Sequence, residues 1–323
     1  MCIHVLVLLF LFNLYSSTSA ETPLKPGYYS QSCPKAEITV REVMKKAMTA
    51  DPRNGASVMR LQFHDCFVNG CDGSVLLDDT PTMLGEKNSL PNIGSLRSFE
   101  VVDEAKAAVE KICPGVVSCA DIIIMAARDA VALSGGPTWD VKLGRKDSLT
   151  ACQKDSDDGV PSGQSNASFL IDIFKYFNLT VQDLVALSGS HSIGKARCFS
   201  VTPRLYNYSD VPGQPDPIFD PKYKQTLEKI CPLNGDENVT LGLDATPQSF
   251  DNQYFKDLID IKGFLHSDQT LNTNPVTREY VLLYSKDQQR FFKDFVEGMI
   301  RLGDLQSGRP GEIRKNCRVV NAH

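Results

Sequence analysis

This 323-residue chain lacks an excess of positive charge. It has 34 lysines and arginines against 39 aspartates and glutamates, for a formal net charge of −5. Binding nucleic acid needs a dense basic surface, so the composition argues against a nucleic-acid partner. Beyond the N-terminal segment the chain also has no long apolar run, so we expect no membrane span and a soluble mature protein. Alternating strand patterns are scarce, and no repeat occurs at the periods of solenoid proteins.

The cysteines lack the spacing of a zinc site, since none forms a Cys-x-x-Cys pair or a Cys/His pattern. The chain opens with MCIHVLVLLFLFNLYSSTSA, in which the apolar run from Ile3 to Leu14 is too short to cross a bilayer. This predicts a signal peptide over 1–20, although the usual initial positive charge is missing. A buried N-terminal helix is the alternative interpretation.

Export makes disulfides the expected state of the nine cysteines that follow Cys2, and an odd number leaves one thiol unpaired. Four glycosylation sequons agree with export, and their acceptors are Asn166, Asn178, Asn207 and Asn238.

Helical periodicity dominates the chain and predicts a mainly α fold. The segment SFEVVDEAKAAVEKICPG is helical with Ser98 as its expected cap, and CADIIIMAARDAVALSGG is apolar on nearly all sides, as in a buried helix. DQQRFFKDFVEGMIRLGDL carries one apolar stripe: Phe291, Phe295, Met299 and Leu302. The polar stretch over 149–168 is the best candidate for a junction between two lobes.

The segment RLQFHDCFVNGCDGS, residues 60–74, combines several chemistries. Helical spacing puts Arg60 and His64 one turn apart on the same face, with Phe63 against that face. A cation beside an imidazole lowers the pKa of the imidazole and favours a neutral, proton-accepting histidine. A surface arginine beside a histidine that merely caps a helix is the alternative.

Oxygen-bearing residues follow at once in the same segment. Asp65, Asp72 and Ser74, with turns at Gly70 and Gly73, offer the hard oxygen ligands that suit Ca²⁺. Cys66 and Cys71 could close this loop as a small ring. A polar turn without metal is the alternative.

A second histidine stands in a structured segment, LTVQDLVALSGSHSIGKARC. Thr180 and Asp183 predict a capping box for a short helix that ends near Ser188, and His191 follows it. Of the other histidines, two lie at the chain ends and His266 is expected in a polar turn. A purely structural role for His191 is the alternative. Further on, LDATPQSFDNQYF supplies more oxygen ligands that could join Ser192 in another site: Asp244, Thr246 and Asp251.

These segments, in this order, resemble the secretory plant peroxidases, class III of the plant peroxidase superfamily. RLQFHDCFVNGCDGS is similar to the distal signature of that family and DLVALSGSHSIGKARC to its proximal haem-ligand signature. The resemblance continues through YYSQSCP, CPGVVSCADII, GGPTWDVKLGRKDS, TPQSFDNQYF, LHSDQTL and IRKNCRVV, and so covers essentially the whole mature chain.

The resemblance implies an all-α, two-lobed fold with very little β structure, in which haem lies between a distal lobe (21–160) and a proximal lobe (161–323). It implies one haem b, two Ca²⁺ ions and a monomer. The expected activity is reduction of hydrogen peroxide to water while phenolic donors are oxidised in two one-electron steps, as in lignin, suberin or other phenol oxidation, peroxide catabolism or the oxidative stress response. The chain ends at CRVVNAH without a further tail, which favours the cell wall and apoplast over the vacuole.

The resemblance also assigns roles residue by residue. Arg60, Phe63 and His64 match the distal catalytic residues, while Asn92 matches the residue that fixes the His64 tautomer, with Glu86 behind it. His191 matches the axial iron ligand, supported by Asp268, and donors approach a haem edge near Pro161.

The remaining matches concern metals and cysteines. The first calcium site matches Asp65, Asp72, Ser74 and the carbonyls of Val68 and Gly70. The second comprises Ser192, Asp244, Thr246, the Ser249 carbonyl and Asp251, although the family spacing would put its first aspartate where Leu243 stands. The implied disulfides are Cys33–Cys113, Cys66–Cys71, Cys119–Cys317 and Cys198–Cys231, which leaves Cys152 unpaired.

Two other functions fit parts of the sequence. A calcium-dependent hydrolase could use His64 and Asp65, but it lacks a nucleophile motif and gives His191 no role. A non-catalytic secreted binding protein on the same fold would have no need of the full histidine, arginine and asparagine set. The Soret band of bound haem would separate the peroxidase from both.

Overall fold

The computed structural model describes residues 23–322. The predicted signal peptide therefore lies outside the described residues, as does the terminal His323. Within the described part the chain forms thirteen α-helices and four very short strands, which confirms the mainly α prediction.

In chain order the helices are α1 Ala36–Ala50, α2 Arg53–Cys66, α3 Phe99–Ile112, α4 Cys119–Leu133, α5 Gln153–Gly159, α6 Ala167–Tyr176, α7 Val181–Ser188, α8 Cys198–Tyr206, α9 Pro221–Ile230, α10 Gln253–Ile259, α11 His266–Thr273, α12 Pro275–Lys286 and α13 Gln288–Gly303. Short 3₁₀ turns cover Ser74–Leu76, Glu86–Asn88, Gly189–Ser192 and Tyr208–Asp210.

The strands make two small antiparallel pairs. β1 (Asp147–Ser148) pairs with β4 (Gly311–Glu312), and β2 (Lys195–Arg197) pairs with β3 (Thr240–Gly242). The first pair joins the C-terminal segment to the middle of the chain. Across residues 23–322, every helix is too short or too polar to cross a membrane.

Helix α4 is the centre of the first half of the fold. Each of its residues from Cys119 to Val131 is buried, as its uniformly apolar sequence predicts. Helices α1, α2 and α3 pack around it. The predicted stripe of α13 is likewise buried, and α13 packs against α7. Helix α2, which carries His64, packs against α4, and α7, which immediately precedes the His191 turn, packs against α13. The core therefore holds both histidine-bearing segments in place.

Two helix starts show how well local signals work. The capping box of α7 forms as predicted: Asp183 N donates to Thr180 Oγ1 at 3.1 Å, and Thr180 N donates to Asp183 Oδ2 at 2.8 Å. Ser98 precedes α3 as expected, but the predicted cap is wrong. Its φ of 65° is left-handed, and its hydroxyl donates to Asn54 Oδ1 at 2.7 Å instead of capping the helix.

Four disulfides form with the pairing that the resemblance implies. They are Cys33–Cys113, Cys66–Cys71, Cys119–Cys317 and Cys198–Cys231. The pair with the longest sequence separation, 198 residues, ties the C-terminal segment to the start of α4. Among the described residues Cys152 is the free cysteine.

A buried arginine organises the segment before α11. Arg204 is fully buried, and its Nε donates to Asp216 Oδ2 at 2.8 Å. One of its terminal nitrogens donates to the carbonyls of Gly263, Phe264 and Leu265. This guanidinium therefore fixes the backbone immediately before the helix that bears Asp268.

Asp216 also lies near His266, for which the prediction of a polar turn is wrong. His266 was expected in a polar turn, but it is the first residue of α11 and is partly buried. Its Nδ1 lies 3.6 Å from Asp216 Oδ2. The sequence signal failed because the partner that buries this end of the helix is distant in the chain.

Replacing Arg204 with Ala should lower the free energy of unfolding by about 3–5 kcal/mol, because it leaves the buried Asp216 carboxylate unpaired. Urea unfolding with the disulfides intact measures the change. Lys154→Ala is the matched control, since Lys154 pairs with Asp158 on the surface and its loss should change stability little. Equal effects of the two substitutions would contradict the anchoring role of Arg204.

Candidate active site

Helix α2 presents the first two predicted site residues on one face. Arg60 Nε donates to His64 Nε2 at 3.0 Å, so the two side chains meet as their spacing predicts. A terminal nitrogen of Arg60 donates to the Pro91 carbonyl at 2.8 Å and to Ser95 Oγ at 3.1 Å. The guanidinium is thus held in place beside the imidazole by a loop outside the helix.

Asn92 determines which nitrogen of His64 carries the proton. The amide Nδ2 of Asn92 donates to the Glu86 carbonyl at 2.9 Å and to Ser156 Oγ at 3.1 Å. Since the Glu86 carbonyl can only accept, the Oδ1 of Asn92 must face His64, where it lies 2.5 Å from Nδ1. His64 Nδ1 therefore donates, and Nε2 of the neutral ring carries the lone pair.

The surroundings of His64 keep it neutral. Burial lowers the pKa of His64 well below its ordinary value, the Arg60 charge lowers it further, and the Asn92 hydrogen bond only partly opposes both. Burial also lowers the pKa of Arg60 to about 10, so the guanidinium stays charged at neutral pH. The pair consists of a neutral proton acceptor and a fixed positive charge.

Phe63 covers the edge of the same face. Its ring lies edge-on to His64 with centroids 5.2 Å apart, and it also contacts Phe67 at 4.6 Å. Because these rings supply no hydrogen-bonding group, they leave Arg60 and His64 as the polar groups on this face of α2.

His191 lies in the turn Gly189–Ser192, which α2 contacts. Its Nδ1 lies 2.8 Å from Asp268 Oδ1. Asp268 is buried and also accepts hydrogen bonds from the Tyr254 hydroxyl at 3.0 Å and the Leu265 amide at 3.0 Å. The carboxylate can only accept, so His191 Nδ1 donates to it and the lone pair of the neutral ring is at Nε2.

Charge around His191 differs from that around His64. Burial by itself lowers the pKa of His191, but the Asp268 carboxylate outweighs it and the net shift is upward. Arg60 opposes this rise from across the site. The anionic partner makes this imidazole more electron-rich than the one that faces Asn92.

The environment of His191 suits a histidine that ligates the metal of a cofactor. Its side chain is 36 % exposed, and among residues 23–322 its Nε2 has no hydrogen-bond partner, while Nδ1 is fixed. An imidazole with one nitrogen held by a carboxylate and the other free is the usual form of a metal-ligating histidine. The residues present therefore fit the axial ligation of haem.

The first oxygen cluster begins in the last turn of α2 and continues into the segment that follows it. Asp65, Asp72 and Ser74 are buried together, and Gly70 has a φ of 97° with no room for a side chain, since a Cβ would lie 2.6 Å from the Ser307 nitrogen. Among the described residues, the Val68 and Gly70 carbonyls accept no hydrogen bond. Asp65 lies in the last turn of α2, and the other four predicted ligand residues follow it between Val68 and Ser74.

This cluster has buried oxygens that the described part of the chain does not satisfy. Ser74 Oγ and Glu86 Oε2 are buried with no partner in the described chain. Burial raises the pKa of Asp65, and the Asp72 carboxylate raises it further; burial likewise raises the pKa of Asp72. Buried oxygens left unpartnered in this way fit an oxygen-coordinated cation such as Ca²⁺.

The second oxygen cluster joins the His191 turn to the loop before α10. Ser192 Oγ lies 3.1 Å from the Ser249 carbonyl and 2.9 Å from the Asp251 carbonyl, and Thr246 Oγ1 lies 3.1 Å from Asp251 Oδ1. Asp244 joins them despite its shifted spacing, since Thr246 N donates to Asp244 Oδ1 at 2.8 Å. Burial raises the pKa of Asp244 to about 7, and neighbouring carboxylates add to the rise.

Carboxylates alone do not make either cluster a metal site. Among residues 23–322, no three His, Cys, Asp or Glu side chains are grouped to hold a metal ion. Any cation would therefore depend on the hydroxyl and carbonyl oxygens as well, which Ca²⁺ accepts readily.

Other predicted positions lie at the surface. Pro161 is partly exposed in the loop between α5 and α6. The four sequon asparagines are all exposed: Asn166, Asn178, Asn207 and Asn238. Asn166 also caps α6 through a hydrogen bond that its side chain accepts from Phe169 N, which leaves its Nδ2 free.

Sequence analysis missed three supporting residues. Ser156 accepts a hydrogen bond from Asn92, although its polar stretch predicts only a junction, and Ser95 accepts one from Arg60. Tyr254 lies inside the quoted motif TPQSFDNQYF, yet only its buried contact with Asp268 reveals its role. No local pattern distinguishes these hydroxyls from ordinary polar side chains.

Comparison with known proteins agrees with this arrangement. The model of the peroxidase family matches residues 40–287. Peroxidase 17 of Arabidopsis thaliana is 68% identical over 315 residues, covering 98% of this chain and 95% of that protein. Peroxidase 49 of the same plant is 48% identical over 303 residues (93% and 91%), and Peroxidase N of Armoracia rusticana is 46% identical over 323 residues (98% and 97%). The chain therefore belongs to the class III plant peroxidase family.

Proposed function

We propose that this peroxidase reduces hydrogen peroxide with His64 as the proton-transfer residue and Arg60 as the charge-stabilising residue, on a haem held by His191. Its membership of the family makes it a haem enzyme that uses hydrogen peroxide as oxidant. The observation that carries the assignment of roles is the opposed setting of the two imidazoles. Each is fixed at Nδ1, one by a neutral amide and the other by a carboxylate.

Haem, when bound, supplies the iron that binds peroxide and stores the two oxidising equivalents that donors later remove one at a time. His64 Nε2 accepts a proton from peroxide, since burial and Arg60 keep the ring neutral. The same nitrogen then returns the proton to the departing oxygen, which leaves as water. Asn92 keeps Nδ1 protonated throughout, so Nε2 remains the proton-transferring atom.

Arg60 has a different task because a guanidinium does not give up its proton in this pH range. Its fixed positive charge stabilises the negative charge that develops as the O–O bond breaks. The contacts with Pro91 and Ser95 hold that charge ready beside His64. Asp268 accepts a hydrogen bond from His191, which increases the basicity of that imidazole and fixes its ring, so His191 would bind iron more strongly.

We propose a Ca²⁺ ion at each oxygen cluster. The first ion would bind next to the catalytic helix, because Asp65 directly follows His64 in α2. The second would bind next to the iron ligand, because Ser192 directly follows His191. Each ion would thus help to fix the position of the backbone that carries one of the two histidines.

The donors are proposed to be small phenols that approach near Pro161, which is partly exposed. We further propose a secreted monomer in the apoplast or cell wall, glycosylated at its exposed sequons, with a distal lobe over 21–160 and a proximal lobe over 161–323. Four disulfides support export.

A hydrolase built on His64 and Asp65 is not supported. The carboxylate of Asp65 accepts hydrogen bonds from the amides of Gly73 and Val75. The Nδ1 of His64 donates instead to Asn92 Oδ1. The histidine and the aspartate therefore do not form an acid–base pair.

His64→Ala should slow peroxide reduction by about 10²–10⁴-fold, because the proton-transfer group is lost. Arg60→Lys should slow it less, since a positive charge remains. Stopped-flow mixing of the haem-loaded enzyme with peroxide measures this step, and later donor oxidation should be nearly unchanged in both variants. Peroxide reduction at the parent rate in His64→Ala would show that His64 is not the proton-transfer residue.

His191→Ala should abolish stable haem binding, and Asp268→Asn should weaken it by about 10–100-fold, because the ligand loses its anionic partner. Haem titration of the apoprotein, followed at the Soret band, measures both affinities. His266→Ala is the control, since that partly buried histidine contacts Asp216 rather than Asp268. Unaltered haem affinity in His191→Ala would refute the ligand assignment.

Asp72→Asn and Asp251→Asn should each remove one of the two proposed calcium ions, as measured by elemental analysis of the dialysed protein. Each loss should also lower the melting temperature, because the remaining buried oxygens lose their counter-charge. Asp158→Asn serves as the control at an exposed carboxylate. Full calcium content in both cluster variants would mean that the bound calcium lies elsewhere and that the two oxygen clusters are polar turns.

A further inference from the structure

A chemically labile pair of residues lies within the first oxygen cluster. Asparagine followed by glycine is prone to deamidation, because glycine has no side chain to hinder attack of its amide nitrogen on the asparagine side chain. The sequence contains three such pairs, which begin at Asn54, Asn69 and Asn234. The structure gives each pair a different environment.

Hydrogen bonds to the backbone hold two of the pairs against this reaction. Asn54 is buried in α2, where its Nδ2 donates to the Ala47 carbonyl at 3.0 Å. Asn234 is exposed, but the amide of Gly235 donates to the Pro232 carbonyl at 2.9 Å. In each pair, one of the two reacting groups must first leave its backbone partner.

The pair at Asn69 is held in a different way. Asn69 is exposed, and within residues 23–322 the amide of Gly70 donates no hydrogen bond. Both residues have left-handed φ values, 66° and 97°, and Asn69 Nδ2 donates to Asp155 Oδ2 of α5 at 2.8 Å. The loop conformation and one exposed contact with α5 therefore keep the reacting atoms apart.

A calcium ion in this cluster would stabilise that loop conformation. The carbonyls of Val68 and Gly70 flank Asn69, and both belong to the proposed ligand set. Removing the ion would leave the Asp65 and Asp72 carboxylates buried without its counter-charge, which favours an open loop. Only the open loop gives the Asn69 side chain the freedom to reach the glycine amide.

We infer that Asn69 is a deamidation site that bound calcium protects, and that its reaction makes the loss of calcium irreversible. The inference rests on the proposed calcium site and adds a covalent modification to it. An enzyme that has once lost this ion would thereby be marked in its main chain.

The reaction balances with water as the co-reactant. The Gly70 nitrogen attacks Cγ of Asn69, a C–N bond forms, and Nδ2 leaves as ammonia with the proton of the Gly70 amide. Water then opens the resulting cyclic imide at either of its carbonyl carbons. One product is aspartate at position 69. The other is isoaspartate, in which the main chain passes through the former side chain and is one methylene longer.

Neither product fits the closed loop. Gly70 is packed so closely that a Cβ would lie 2.6 Å from the Ser307 nitrogen, so a longer main chain before it must move the Gly70 carbonyl away from the cluster. In the aspartate product an oxygen replaces the Nδ2 that donates to Asp155, so two carboxylates repel each other in place of a hydrogen bond. Calcium would therefore rebind more weakly to both products.

The effect would extend to the catalytic histidine. Asp155 lies in α5, which also carries Ser156, and Ser156 accepts a hydrogen bond from Asn92. Because Asn92 fixes the tautomer of His64, a shift of α5 would disturb proton transfer as well as calcium binding.

The test follows deamidation at all three pairs in one sample. The haem-loaded enzyme is kept in heavy-oxygen water with calcium or with the chelator EGTA, and its peptides are then mapped by mass spectrometry. EGTA should raise the deamidation rate at Asn69 by about tenfold or more, because the reacting atoms meet only in the open loop. The rate at Asn234 should be unchanged, and Asn54 should stay intact.

Two variants connect the modification to calcium binding. After long EGTA treatment, added calcium should refill the first site of the parent enzyme only in proportion to the Asn69 that remains, as measured by elemental analysis. Asn69→Gln should regain its full calcium, because the longer side chain closes an imide ring far more slowly. Asn234→Gln is the matched control and should fail to regain calcium to the same extent as the parent.

Two results would overturn the inference. One is a deamidation rate at Asn69 that EGTA leaves unchanged in protein shown by elemental analysis to have lost its calcium. The other is full recovery of calcium by deamidated parent enzyme. An enzyme that holds no calcium before EGTA treatment would instead refute the proposed calcium site, so the two failures are distinguishable.

Discussion

The site depends on one hydrogen bond at the Nδ1 of each of the two histidines. Asn92 can offer only its carbonyl oxygen to His64, because its amide nitrogen is already committed to the Glu86 carbonyl. Asp268 can only accept from His191. Both rings therefore have their lone pair at Nε2, but one partner is neutral and the other is anionic. That single difference makes His64 suited to exchanging a proton and His191 suited to holding iron.

The rest of the structure fixes the two partners. Asn92 is held by the loop around Glu86 and by Ser156 of α5, so helices and loops from separate parts of the chain meet behind His64. Asp268 is held by Tyr254 and by the backbone before α11, which the buried Arg204 anchors in turn. The oxygen clusters begin next to the two histidines in sequence, so any cation bound there would add rigidity where the chemistry needs it.

Much of this was predictable from sequence, for a definite reason. Hydrophobic periodicity predicts α2, α4 and α13, because the residues that each helix buries recur at helical spacing within one continuous segment. The capping box of α7 is also predictable, because both of its partners lie within four residues. The resemblance supplied the disulfide pairs, which spacing alone leaves undetermined. What failed depends on long-range contacts. The Ser98 hydroxyl donates a hydrogen bond to Asn54, and His266 begins a helix beside Asp216. Both partners are distant in the chain, so the local sequence does not predict either contact.

Neutron diffraction from crystals of the haem-loaded enzyme tests the central claim most directly, because it locates the exchangeable hydrogens on both imidazoles. The account predicts a deuteron at Nδ1 of His64, directed at Asn92 Oδ1, and none at Nε2. It also predicts a deuteron at Nδ1 of His191, directed at Asp268. A deuteron at Nε2 of resting His64 would contradict the account, since that nitrogen could then not accept the proton of peroxide.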